Sequence, residues 1–394
     1  MNNVAVRIGH KARFEGLAIA CIATALTFGL LEIGAKIILH YKAPPPAKTN
    51  KVHPDHMAIY KKMLPDLSEA DIKGLFVPFR QTYEPWVGFR NEDLNYPLVN
   101  ASGLVRRTIP EATATDGQTN DVWFFGGSTM FGVHAPDDRT LPSAFIKSAT
   151  KARDLPFKAT NYGQPYYYSK QEAVLFHSLL LDGKKPSVAV FLDGLNEFIQ
   201  PGASFLRTPF WSPAFQWMFE QPQQRAHFRD ATIGVLASIF GSTSTWKLIG
   251  TREKKIWEAV PPNIINQNYN LPTGIQARDG ARKVAELYVG NVRKLGEICK
   301  TLNVLCVFFL QPIPFVNYDR SADSIAMKTD RPDIKEAYDI IKIGMAGFDY
   351  FVSLDDAFST TKNLPYIDAF HYSPYGNQVL ADRILEAVQA RLAK

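Results

Sequence analysis

The sequence predicts an α/β protein, a three-layer α/β/α sandwich around a five-stranded parallel sheet. Five apolar runs, at 122–125, 157–162, 187–192, 304–310 and 351–354, have the length and continuity of strands buried on both faces. Segments with helical spacing fall at 141–150, 170–181, 282–302, 333–345 and 374–392. Strands alternating with helices imply a parallel sheet covered on both sides. The rhythm breaks once, at 199–271, an aromatic-rich stretch read as an insertion after the third strand.

Taken in order, residues 1–16 carry Arg7, Lys11 and Arg13 and precede the apolar run 17–31. Glu32 and Lys36 stand one helical turn apart and can pair, so a helix over 17–39 is long enough to span a bilayer. With no A-x-A-like site after it, the stretch reads as an uncleaved signal anchor, with a cleaved signal peptide as the alternative. Residues 1–16 are then a cytoplasmic tail. Lys42, Lys48 and Lys51 nearly balance the basic residues before the span; the short basic tail still places the large domain outside the cytoplasm. Residues 40–120 read as a linker and N-terminal extension: a Pro-rich spacer at 44–46, helical spacing at 57–75, and turns and aromatics at 85–107 that pack against the main domain. The main domain is 121–394.

The net charge of +6 comes from basic residues spread along 394 positions, with no dense Lys/Arg block among aromatics, so nucleic acid is excluded as a partner. Of the three cysteines, Cys299 and Cys306 flank a helix-to-strand turn and read as buried free thiols. No CxxC and no Cys/His pair at metal spacing is present. Along 282–302, the residues Val284, Leu287, Val292, Leu295, Ile298 and Leu302 read as a core-facing stripe.

The first strand ends in Gly126-Gly127-Ser128-Thr129. A serine where a strand turns into a helix sits at the carboxyl edge of the sheet, where open α/β sheets place ligands. The backbone N–H groups beside it lack helical partners and can face an oxyanion. The same four residues also fit a plain turn with an N-cap serine. Near the C-terminus, Asp368 precedes His371 by three residues. A carboxylate so placed can hold imidazole Nδ1–H and leave Nε2 to take a serine proton. Gly163 follows the second strand and can offer a backbone N–H; Asn196 follows the third and can offer a side-chain NH₂. Tyr166, Tyr167 and Tyr168 follow Gly163 and are candidates for a substrate groove. His134, six residues past Ser128 on the connection out of the first block, reads as a loop histidine rather than a rival base.

These four blocks resemble the SGNH/GDSL hydrolases: Ser128 in GGST, Gly163 in NYGQP, Asn196 in DGLNE and the DAFH of 368–371. The similarity is greatest to a membrane-anchored bacterial subgroup associated with envelope or exopolysaccharide modification. It covers 121–394 apart from the insertion. Gly127 stands where the family name implies Asp, and Glu197 where Asp is usual. The resemblance implies a flavodoxin-like sheet and a Ser128–His371–Asp368 triad. It also implies an oxyanion hole from Ser128, Gly163 and Asn196. No metal or organic cofactor is implied. The expected activity is a serine esterase or deacylase on an O-acylated envelope or exported saccharide, held at the bacterial inner membrane with its catalytic domain periplasmic. An O-acetyltransferase using the same triad, and a non-catalytic scaffold in an envelope complex, are the open alternatives.

Overall fold

The computed structural model describes residues 26–33, 56–110, 119–152, 157–199, 275–321, 323, 325 and 330–393. Residues 26–33 are helical and belong to one unit; the rest of the described residues belong to the other. In the first, Leu26, Phe28, Leu30, Leu31 and Ile33 are exposed. No described helix is long and apolar enough to cross a membrane. The remainder of the predicted anchor and tail, and the insertion beyond Ile199, lie outside the described residues.

The second unit opens with α1 (Met57–Met63) and α2 (Glu69–Gly74). The helical spacing at 57–75 is thus two short helices parted at Pro65, and the second starts on a Ser68–Asp71 capping box. A hairpin follows, β1 (Gln81–Glu84) and β2 (Gly88–Asn91), and then β3 (Leu94–Asn95), β4 (Asn100–Ser102) and β5 (Val105–Arg106). The α/β core is β6 (Asn120–Gly126), α3 (Ser128–Phe131), α4 (Leu141–Ala152), β7 (Phe157–Asn161), α5 (Ser169–Leu181), β8 (Val188–Asp193) and α6 (Asn196–Ile199). It continues through α7 (Ile275–Thr301), β9 (Leu305–Leu310), α8 (Pro332–Gly344), β10 (Phe351–Ser353) and α9 (Pro374–Leu392).

The sheet has eight strands in the order β10-β9-β8-β6-β7-β5-β4-β3. Its five parallel members, β6 to β10, are the five predicted from apolar runs, and their spatial order is the flavodoxin-like one. The correction is at the edge. β5, β4 and β3 join antiparallel to β7, so the sheet is mixed rather than wholly parallel. The extension also contributes core: Tyr60, Leu64, Ile72, Leu75, Leu94 and Val99 pack with Phe131, Val133 and Ile367. Strands of two or three residues carry too little periodicity to be read from sequence.

On one face α4 and α9 bury Phe145, Leu380 and Ile384 against Val122, Val190 and Val307; α5, α7 and α8 occupy the other. There Phe125, Phe191 and Phe308, paired across β6, β8 and β9, stack at 4.9 and 4.8 Å. The predicted stripe on α7 is rotated. Val284, Val292 and Leu295 are buried, but Leu287, Ile298 and Leu302 are not. The buried face is Ala281, Val284, Ala285, Tyr288, Val292 and Cys299, because a face that admits Ala and Cys packs the helix closer. Cys299 and Cys306 are not free thiols: the turn from α7 into β9 brings their Cα atoms to 6.0 Å and they form a disulfide.

Candidate active site

The parallel order reverses direction between β6 and β8, and the crevice beyond their carboxyl ends is the topological switch point of the sheet. Ser128 follows β6 and Asn196 follows β8, so two predicted site residues stand on either side of it. Gly127 is the N-cap of α3 and Ser128 its first helical residue, so Ser128 is not the capping residue that the alternative reading required. Its N–H belongs to the first turn and has no acceptor within the helix.

Gly127 lacks a Cβ for a reason. An added Cβ would lie 2.3 Å from Asn196 Nδ2 and 2.9 Å from the Tyr167 carbonyl oxygen. The Asn196 carboxamide therefore rests directly on the residue before Ser128. One of its N–H groups donates to Tyr167 O at 2.5 Å, which leaves the second as a donor. Glu197, the departure in the third block, is buried and accepts the backbone N–H of Ser169 at 2.8 Å and of Gly194 at 3.0 Å. It ties the turn bearing Asn196 to the start of α5.

Gly163 differs from expectation. Its N–H donates to Asn161 Oδ1 at 2.9 Å, so it does not face an oxyanion as an open donor in this structure. Its missing side chain has a packing cause, since a Cβ would meet Phe131 N at 2.5 Å and Met130 C at 2.8 Å. Asn161 Nδ2 donates to Met130 O, which clamps the end of β7 to α3. Of the three tyrosines, Tyr167 and Tyr168 are buried and only Tyr166 is exposed, at 41%. The Tyr167 hydroxyl donates to the Phe89 carbonyl of β2, so its ring joins the N-terminal hairpin to the site, and the residue also lines the small cavity there.

Asp368 and His371 lie on a tight loop closed by Ile367 N–H to His371 O at 2.8 Å and by the Tyr366–Tyr372 bridge. Asp368 Oδ1 accepts the backbone N–H groups of Phe370 at 3.0 Å and His371 at 2.7 Å. That fixes the carboxylate, and Oδ2 meets His371 Nδ1 at 2.6 Å. Two contacts bring this loop to α3. The Thr129 hydroxyl donates to Gln311 Oε1 at 2.8 Å, which also accepts from the Tyr372 hydroxyl at 3.3 Å. On the other side Ile367 packs in the cluster holding Phe131 and Val133.

Sequence reasoning missed His134. Its Nε2 lies 3.4 Å from Asp368 Oδ2, and its ring is edge-on to His371 at 5.7 Å and stacked on Phe76 at 4.0 Å. Its carboxylate partner comes from the C-terminal loop, not from Asp137 or Asp138 close by in sequence. Burial pushes the Asp368 carboxyl up, but the His371 and His134 rings outweigh it and hold it well below the usual range. Beneath the site, Glu172, Asp193 and Glu197 are three buried carboxyl groups, and with Gly127, Asn196 and Gln311 they line a small cavity.

No protein-family model and no curated protein matches the chain. Among solved structures it is similar to an acetyl xylan esterase, AlAXEase, at 15% identity over 68% of this chain and 99% of that one, TM-score 0.37. It is also similar to a psychrotrophic esterase from Pseudoalteromonas sp., at 10% identity over 70% and 100%, TM-score 0.38. A member of the lipolytic protein G-D-S-L family from Veillonella parvula matches at 11% over 68% and 97%, TM-score 0.36.

Proposed function

We propose that the chain is a serine esterase of SGNH type that deacylates an O-acylated saccharide. The observation that carries the reading is the Asp368–His371 pair, held at 2.6 Å on a loop braced against the helix that Ser128 opens. Asp368 accepts Nδ1–H and fixes the tautomer in which Nε2 has a lone pair. As the Ser128 hydroxyl attacks the ester carbonyl, its proton passes to Nε2. The free N–H of Asn196 and the N–H of Ser128 hold the oxyanion. The proton then goes to the departing alcohol, and water cleaves the acyl-enzyme by the same route in reverse. Transfer to a sugar hydroxyl would use the same acyl-enzyme.

The exposure of Tyr166 beside the second block supports it as the ring that stacks on a sugar. An extracytoplasmic, membrane-anchored location is supported by the Cys299–Cys306 disulfide, which belongs to oxidising compartments, and by the exposed apolar helix at 26–33. A phosphatase fusion after residue 60 should be active in cells; an inactive fusion removes that part of the reading.

The decisive test of function is labelling with a fluorophosphonate. Wild type should label at Ser128 and lose the label in Ser128→Ala and His371→Ala. If Ser128→Ala folds and still hydrolyses a short-chain aryl ester at the wild-type rate, the reading fails.

A further inference from the structure

His134, Asp368 and His371 each offer one ligand atom, and these atoms lie within 4.8 Å of one another. The three residues come from two distant parts of the chain and meet on one oxygen, Asp368 Oδ2. In the reaction above only His371 needs that oxygen. The second imidazole has no task in ester hydrolysis, and its setting is informative.

His134 Nδ1 sits 3.4 Å from the Leu75 carbonyl oxygen, which can only accept. That contact favours the tautomer with the proton on Nδ1. Nε2 then presents a lone pair to the carboxylate oxygen 3.4 Å away. Two electron-rich atoms facing each other at this range call for a cation between them, either a proton on Nε2 or a metal ion. A ligating histidine whose other ring nitrogen donates to a backbone carbonyl is the usual arrangement at metal sites. The Phe76 stack at 4.0 Å fixes the ring plane, and the two backbone N–H groups on Oδ1 fix the carboxylate.

We propose that these three residues form a regulatory Zn²⁺ site that switches the esterase off. Two imidazole nitrogens and a carboxylate oxygen suit zinc, with the fourth position left to water. Tetrahedral ligands at 2.0–2.1 Å from zinc stand about 3.3 Å apart. The His134–Asp368 separation of 3.4 Å already matches, while the 2.6 Å hydrogen bond from His371 must open by less than an ångström. The side chains of His134, Asp368 and His371 are 10%, 24% and 13% exposed, so an ion can reach them.

Inhibition follows from proton bookkeeping. When zinc takes the Nδ1 position of His371, the proton that Nδ1 carried in its hydrogen bond to Asp368 is displaced, and the neutral ring holds its proton on Nε2 instead. An Nε2–H cannot accept the Ser128 proton, so the nucleophile is no longer activated. No bond to substrate is made or broken by the metal. This inhibitory half rests on the proposed esterase reading; the binding half does not.

The test uses the full chain and Zn²⁺ alone, with affinity read by competition against a chromophoric chelator. Asn is the replacement for His134 because the residue has φ of 63°, a left-handed conformation Asn tolerates. Wild type and Ser128→Ala should bind one more equivalent than His134→Asn, whose affinity at that site should be weaker by at least about tenfold, the lower end of what perturbing a site's supporting groups costs. Asp368→Asn should lose the same equivalent. Ester hydrolysis by wild type should fall as zinc occupies the site and recover with a chelator. Equal zinc binding by wild type and by folded His134→Asn overturns the proposal and leaves the esterase reading intact. Zinc binding without ester hydrolysis in any variant keeps the site and removes the esterase.

Discussion

Gly127 and Asn196 occupy one space: the carboxamide nitrogen of Asn196 lies where a side chain on residue 127 would begin. A Cβ there must displace either that nitrogen or the Tyr167 carbonyl that holds it. Gly127→Ala should therefore act as an oxyanion-hole mutation without touching a reacting group. Its kcat/KM on an aryl ester should fall about 10²–10³-fold, the scale of losing one such donor. Asn196→Ala should fall to a similar level, and the double variant should cost no more than either single one, because both remove the same interaction. Additive losses in the double variant would show that Gly127 acts elsewhere.

The three carboxyl groups beneath the site predict a stability that depends on pH. Glu197 has two backbone donors, whereas Glu172 and Asp193 have each other. Burial first, and then the neighbouring carboxylates, push Glu172 and Asp193 well above their ordinary values. The pair retains a proton in the folded chain that the unfolded chain has released above about pH 4. A raised carboxyl pKa stabilises the fold fully below the unfolded value, and that contribution is lost as pH rises through the folded one. Thermal midpoints should fall from mildly acidic to alkaline buffer. Glu172→Gln, which keeps a permanent donor in place of the shared proton, should flatten that slope. A variant slope as steep as wild type would place the proton elsewhere.

Local chemistry made much of this legible. The runs around Phe124, Val190 and Phe308 are strands because nothing but burial on both faces tolerates them, and all five appear where expected. Asp368 and His371 were readable because three residues of loop suffice to make their hydrogen bond. What stayed hidden depends on distant approach. His134 meets an acid from the far end of the chain, and Arg106 pairs with Asn161 of β7 through a strand of two residues. Gly163 resembled a donor, yet its N–H was already claimed by Asn161, two positions away. Leu287 and Ile298 looked like core by hydrophobicity alone, while Ala285 and Cys299 hold that face because they let α7 lie close to the sheet.

The disulfide is testable on its own terms. Cys299 and Cys306 close a loop with a sequence separation of 7. Loop entropy assigns such a short bridge roughly 2–2.5 kcal/mol. Because both positions are buried, the thiols must be probed in denaturant: the unfolded, unreduced chain should resist maleimide at both until reduced, and Cys299→Ser with Cys306→Ser should lower stability in urea by a corresponding amount. Labelling of the denatured, unreduced chain at both positions would restore the free-thiol reading.

The N-terminal extension is held by a buried ion pair, and its loss should unfold the chain before it alters chemistry. The Arg106 guanidinium, fully buried on β5, pairs through Nη1 with Asp137 Oδ1. It also donates to Asn100 O at 2.7 Å and Ala135 O at 3.1 Å, and lies over the Phe131 ring at 5.2 Å. Asp137 accepts in addition from Asn100 N at 2.9 Å and Nδ2 at 2.7 Å. Asp137→Ala leaves a buried cation and two donors unpaired, which should destabilise by about 3–5 kcal/mol. Asp137→Asn, which retains an acceptor but not the charge, should cost less. Arg106→Met in the Asp137→Ala background should recover part of the loss, since removing both charges removes the desolvation penalty of the survivor. Well below its unfolding midpoint, Asp137→Ala should still hydrolyse ester, because Asp137 touches no reacting group. Urea unfolding of the three variants checks the order, and a loss below about 1 kcal/mol for Asp137→Ala, the level of an exposed pair, would mean that solvent reaches Arg106.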